Sequence, residues 1–446
     1  MNIQRERARA QVSARSARRA GLGLADLAFG SLILLAFYYL AYRYPLQIGS
    51  SLTSPTYTDT PPALQTGKYV LIVAILLIVA TAAAVRGPLG ERTRDAHPLS
   101  SWALLLLSVF AILKGLFSGS VDQIIVGLVS LVPVVLSSLS ARRNVDGRRL
   151  AVAVVIYAVI SVVVDAVQFV LYRVQGRLPS LGYEGSISVR FGAVLDDPNG
   201  YALIVALAVP VVFAISTRAK FIRYVLILLL LVSLLLTQSF TGIASVLGAL
   251  ILGYVGLHWR SLGRTYAISI GGIVLLVVVW LFTSTSELFD AVVASKLGSI
   301  NQHAGTLDEI RALSLEQLVG LGPAQGGLES SYVALAANFG LVYVVIYIWI
   351  GVAACRRLLQ TVRSSTDSRD SAAHLGFYFF LIAYLFASIN LSLEGSYPSN
   401  FLFMLGVALS FFAVRSDDPA SGLVRRSHST VQSIRVTALS TPKGFS

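Results

Sequence analysis

Residues 331–354 read SYVALAANFGLVYVVIYIWIGVAA, and Cys355, Arg356 and Arg357 follow at once. The stretch carries no charged side chain. It is long enough to cross the hydrocarbon core of a bilayer, which takes roughly 20 apolar residues in a helix. Outward from it, the same alternation of apolar run and basic gap extends from residue 22 to residue 414. Candidate spans lie at 22–42, 69–85, 99–117, 121–139, 150–173, 200–217, 221–237, 240–257, 266–283, 331–354, 375–392 and 398–414. The composition is 55% hydrophobic and 13% charged, more apolar side chain than the core of a water-soluble domain of this size can hide. The fold expected is all-α, a polytopic integral membrane protein of about 12 transmembrane helices.

The net charge of +13 invites a nucleic-acid partner, but its distribution argues for none. Basic residues gather at 5–19, 86–94, 142–149, 218–223, 260–264, 356–369 and 415–443. All of these segments fall on one side if the chain crosses about twelve times, which marks that side as cytoplasmic. Both termini are then expected in the cytoplasm. Residues 1–21 form a basic arm, 22–414 the transmembrane domain, and 415–446 a Ser- and Arg-rich tail read as disordered. The first apolar run lacks a small-residue cleavage site and reads as a retained span. Cys355 is the one cysteine, which excludes an intramolecular disulfide.

Two outer segments, 174–199 and 284–328, mix apolar, aromatic, Gly and Pro residues with single charges, as ordered loops do. The longer, between the ninth and tenth spans, carries Lys296 and a predicted helix over 306–319. Arg190 and Arg311 lie where the positive-inside rule does not require a cation. A guanidinium pairs bidentately with phosphate oxygens, so the two suit a phosphate or pyrophosphate clamp, with Asp196 or Asp197 orienting Arg190 and Asn199 capping the next helix. A loop salt bridge for Arg190 and a solvated helix face for Arg311 are the plainer readings.

Glu329 precedes Ser330, Ser331 and Tyr332 at the outer mouth of the tenth span. It reads either as a first-turn helix carboxylate or as a general base or sugar ligand. Ser161, Asp165, Gln168 and Tyr172 share one face of the fifth span, either lining a polar cavity or joining helices by hydrogen bonds. Two outer breaks, one at Ser239 and one holding Glu394 and Tyr397, either complete a cavity wall or only turn the chain. The five histidines are isolated in sequence, and no metal centre or other cofactor is expected.

Three blocks of residues resemble the O-antigen ligase and polymerase superfamily of bacterial envelopes. They are Arg190-Phe191-Gly192 with Asp197-Pro198-Asn199-Gly200-Tyr201; Leu235-Leu236-Thr237-Gln238-Ser239-Phe240-Thr241-Gly242; and Gly320-Leu321-Gly322 with Glu329-Ser330-Ser331-Tyr332 and Asn338-Phe339-Gly340-Leu341. The resemblance covers roughly residues 185–345. It implies a GT-C-like membrane glycosyltransferase of the bacterial inner membrane, with its active site on the extracytoplasmic face. The implied partners are an undecaprenyl-diphosphate-linked oligosaccharide, membrane lipid, and a chain-length regulator and flippase of the same pathway. Ligases of the group commonly show His-Asn or His-Ser where this chain has Glu329-Ser330. That difference favours a polymerase of O-antigen, capsule or exopolysaccharide over a ligase. Such polymerases carry outer-loop arginines at a set distance before a glycine. Arg311 and Gly322 keep that distance, and Arg190 and Gly200 miss it by one residue. The resemblance leaves Glu329, Arg311 and Arg190 as the expected catalytic residues. Asp165, Gln168, Tyr172, Asp197, Asn199, Ser239, Lys296, Tyr332, Glu394 and Tyr397 are the expected substrate contacts.

A polytopic transporter is the rival from another class. Its support is the segment Gly87-Pro88-Leu89-Gly90-Glu91-Arg92-Thr93-Arg94, which partly resembles a loop of major-facilitator transporters. No second, similar half of the chain accompanies it.

Overall fold

A computed structural model describes residues 98–139, 147–175, 198–215, 220–237, 239–258, 310–323, 325, 328, 330–365, 368–394 and 399–411. Every regular element among them is helical. In chain order these are α1 (Pro98–Ser118), α2 (Val121–Leu139), α3 (Gly147–Gln175), α4 (Pro198–Ala214), α5 (Lys220–Leu236), α6 (Phe240–Leu257), the single turn α7 (Leu315–Leu318), α8 (Ser331–Phe339), α9 (Leu341–Ser364), α10 (Ser368–Ala387) and α11 (Ser399–Phe411). The stretches Leu99–Ser118, Leu150–Val167, Phe240–Leu257 and Leu341–Ser364 are each long and apolar enough to cross a membrane. The expected spans at 22–42, 69–85 and 266–283 lie outside the described residues.

The helices are apolar on their outer faces as well as in their shared core, unlike those of a soluble bundle. On α3, Val152, Ile156, Val159, Val163, Val167 and Val170 are exposed, whereas Ser161 and Asp165 are buried with Ala151, Val154 and Ala158. On α1, Leu106, Phe110, Leu113 and Phe117 are likewise exposed. An outer face of this kind suits lipid, and it makes the apolar helices those of a membrane protein. Lipid tails are as apolar as leucine, so helix contact here depends on close packing and hydrogen bonds.

That packing centres on α10, which touches α3, α4, α6, α9 and α11. Tyr384 and Phe403 stack with centroids 4.4 Å apart, Tyr347 and Phe403 with centroids 5.1 Å apart, and the Tyr347 and Tyr384 hydroxyls meet at 3.1 Å. Small residues form the notches that admit such rings. A methyl group at Gly253 would come within 2.3 Å of the Phe379 ring.

Three expected boundaries need correction. The span 331–354 is two helices, parted at Gly340, whose φ of 91° and ψ of 161° only glycine adopts with ease. Gly340 meets Gly320, also at positive φ (83°), backbone to backbone. A side chain on Gly320 would strike the Phe339 carbonyl, and one on Gly340 the Val319–Gly320 peptide. The helix expected over 306–319 is interrupted: residues 310–312 are helical, Leu313 and Ser314 are not, and Ser314 starts a new turn. There the Ser314 hydroxyl accepts from Gln317 N while the Gln317 side chain accepts from Ser314 N, a capping box. The span 375–392 is instead α10, shifted toward its polar start.

Among the described residues, helix ends collect at two poles. At one pole, cations meet the last carbonyls of helices: Arg363 donates to Gly256 O, and Arg223 donates to Phe213 O at 3.3 Å. Arg357 of α9 also donates there to the Ser100 hydroxyl, at 3.2 Å. Hydroxyl and amide side chains dominate at the opposite pole.

Candidate functional site

The polar pole is held by three sets of contacts. The first joins the starts of α4 and α6. Ser239 N-caps α6, its hydroxyl accepting from Gly242 N at 2.9 Å and donating to Asn199 Oδ1. Gly242 lies so close to Ala202 of α4 that a methyl group there would come within 2.6 Å of its Cβ. Thus Asn199 and Ser239, expected as substrate contacts from two separate blocks, hold each other. About one turn deeper, Ser233 of α5 donates to Asp165 Oδ2, and its oxygen lies 2.8 Å from the Tyr201 hydroxyl. Asp165 is 1% exposed. The interhelical hydrogen bond, one of the two readings left open for it, is therefore formed. Gln168 and Tyr172 follow on α3, with side chains outside the described set.

The second set braces the ends of α1, α2 and α8. Lys114 Nζ donates to Gly320 O at 2.8 Å. Asn338, at the end of α8, accepts from Gln123 Nε2 at 3.1 Å and from Gln325 N at 2.9 Å, and donates to Gln325 O at 2.9 Å. One amide thereby ties the outer segment to α2. Arg311 is exposed on the helical residues 310–312.

The third set lies where α8 begins beside the α10–α11 corner. Ser331 N and Oγ both donate to Leu391 O, at 3.0 and 2.7 Å, and Ser331 Oγ accepts from Leu393 N at 2.6 Å. Ser330 Oγ donates to Ser388 O at 3.2 Å, and Tyr332 OH donates to Leu385 O at 2.7 Å. Glu394 therefore sits beside the Ser330-Ser331-Tyr332 block. Its Oε1 accepts from the Ser392 hydroxyl at 2.7 Å, and its main-chain oxygen accepts from Asn400 Nδ2 at 2.5 Å. Burial pushes the Glu394 carboxyl above its ordinary pKa. The hydroxyls of Ser392 and Ser331 work against that rise, and the nearby Asp122 adds to it.

Arg190, Asp197, Lys296, Glu329 and Tyr397 lie outside the described residues. Sequence reasoning missed Tyr201, Ser233, Gln123 and Asn400. Ser233 had a readable signal, as the one hydroxyl inside the apolar run 225–236. No cluster of three His, Cys, Asp or Glu residues occurs among the described residues. Compared with family models and with curated proteins, the chain matches none.

Proposed function

We propose that this protein is a membrane glycosyltransferase that polymerises undecaprenyl-diphosphate-linked oligosaccharide units at the outer face of the bacterial inner membrane. One observation carries the reading. The described parts of the three sequence blocks, Asn199 to Tyr201, Ser239 to Gly242 and Gly320 to Gly340, gather at the pole opposite the arginine-capped helix ends. If the arginine-rich pole is cytoplasmic, the hydroxyl-rich pole faces the side where nucleotide sugars are absent and a lipid-activated donor is required.

In this reading an acceptor hydroxyl attacks the anomeric carbon of the lipid-linked glycan. The new C–O bond forms as the bond to diphosphate breaks, and the electron pair leaves on the diphosphate. Arg190 and Arg311 neutralise the charge that grows there. Glu329 orients the acceptor hydroxyl or takes its proton. Two substrates held in one membrane lose less freedom on meeting than two in solution.

The test is reconstitution of the purified protein in liposomes with the lipid-linked repeat unit of its host, followed by gel analysis of the glycan. A ladder of multiples, lost in Arg311→Ala and Glu329→Ala, is the expected result. Transfer only to an added distinct lipid would make it a ligase. Movement of the lipid-linked unit across the bilayer without a covalent product would make it a transporter.

A further inference from the structure

Two buried acceptors at the α10–α11 corner have no hydrogen-bond donor, Glu394 Oε2 and Asn400 Oδ1. Their own side chains are otherwise engaged: Glu394 Oε1 is taken by Ser392 and Asn400 Nδ2 by the Glu394 main-chain oxygen. The Ser331 hydroxyl, near enough to the Glu394 carboxyl to oppose its pKa rise, donates to Leu391 O and accepts from Leu393 N. Glu394 and Asn400 are thus tied by the described contacts of the corner, and one acceptor on each is left over. Both acceptor atoms are buried, Asn400 being 4% exposed, while the Glu394 residue as a whole is half-buried.

A ligand that completes this corner must bring donors. Phosphate and diphosphate bring acceptors and negative charge, which do not complete two leftover acceptors. A glycan brings hydroxyls on neighbouring carbons, each able to donate once. We propose that Glu394 and Asn400 form a sugar-binding site, in which two hydroxyls of the glycan each donate to one of the two buried acceptors. The inference rests on the glycosyltransferase reading for the identity of the ligand. It makes Glu394 and Asn400 positioning residues, set apart from the diphosphate.

The experiment uses the full chain in nanodiscs, with the lipid-free repeat-unit oligosaccharide cut from the host's own polysaccharide as probe. Binding is measured by calorimetry, and ladder formation from the lipid-linked unit is followed in parallel. Glu394→Gln and Asn400→Leu are each expected to weaken probe binding about tenfold, the loss of roughly one hydrogen bond. The same variants should raise KM by a similar factor and leave kcat near wild type. Asn400→Asp keeps an acceptor and should bind better than Asn400→Leu. It also serves where Asn400→Leu fails to fold.

Wild-type affinity in Glu394→Gln and Asn400→Leu, with normal ladders, would overturn the site and leave the polymerase reading intact. Probe binding that depends on Glu394 in a protein that makes no ladder would sustain the site and sink the polymerase. Saturable binding of Na⁺ or Ca²⁺ that requires Glu394, with no effect of the oligosaccharide, would overturn the proposal in favour of a cation.

Discussion

The two poles of this bundle solve the same problem with different chemistry. Helix ends leave main-chain carbonyls and amides without partners, and each pole must supply them. At the arginine-rich pole, Arg363 and Arg223 reach the last carbonyls of α6 and α4, where a cation also complements the helix dipole. At the other pole, neutral side chains supply most of the described caps, Ser239 on α6, Ser314 on α7 and Ser331 against the α10–α11 corner, with Lys114 on Gly320 O. Charged caps tolerate water and set topology but leave little room for a neutral ligand. Hydroxyl caps keep the surface polar without strong fields.

The contrast predicts that the hydroxyl pole is the less tolerant of change. Gly340→Val should have the largest effect, since it puts a branched side chain at φ 91° against the Gly320 backbone. A cost of about 3 kcal/mol or more is expected from backbone strain and overpacking together, read as a large fall in melting temperature in detergent. Ser233→Ala comes next, removing the hydroxyl between Asp165 and Tyr201 at a cost of roughly 1–3 kcal/mol. Tyr201→Phe should cost less, because Ser233 keeps its bond to Asp165.

At the arginine pole, Arg363→Gln removes a partly exposed cap and should cost only about 0.3–1 kcal/mol, an effect that shrinks in high salt. If the Arg363 change unfolds the protein while Gly340→Val melts normally, the contrast between the poles is wrong.

The smallest effect concerns pH. Because the folded state raises the Glu394 pKa above its ordinary 4.5, it holds the proton more tightly than the unfolded chain does. Its contribution to stability is complete below that value and is lost as pH rises through the folded pKa. Glu394→Gln should therefore flatten the fall in melting temperature from acid to neutral pH. An unchanged slope would show that the corner carries no such proton.

Hydropathy made much of this fold legible. The expected spans 121–139 and 240–257 coincide with α2 and α6, because Gly119-Ser120 and Ser239 punctuate strongly apolar runs. It could not reveal the break at Gly340, since a glycine between two apolar runs barely changes their hydropathy while reversing the sign of φ. It also placed α10 too late, because Ser368 to Ser371 are polar yet helical. The interruption at Leu313–Ser314 was readable after all: Ser314 followed by Gln317 is the pattern of a capping box.

At the site, residue types marked Asn199, Ser239, Asp165, Tyr332 and Glu394, and the fold added their partners. Those partners lie far along the chain, Ser233 from Asp165 and Ser331 from Leu391, so only tertiary packing could pair them.

The position of α10 carries a further consequence, for the order in which the protein is made. α3, α4 and α6 all pack on a helix that begins only at Ser368. During synthesis these helices enter the bilayer well before their shared partner exists, and the notch at Gly253 faces lipid until Phe379 arrives. Assembly is therefore completed from the C-terminal side. A nascent chain stalled after α9 would hold its early helices in the membrane as a loose set, open to quality-control proteases until α10 closes them.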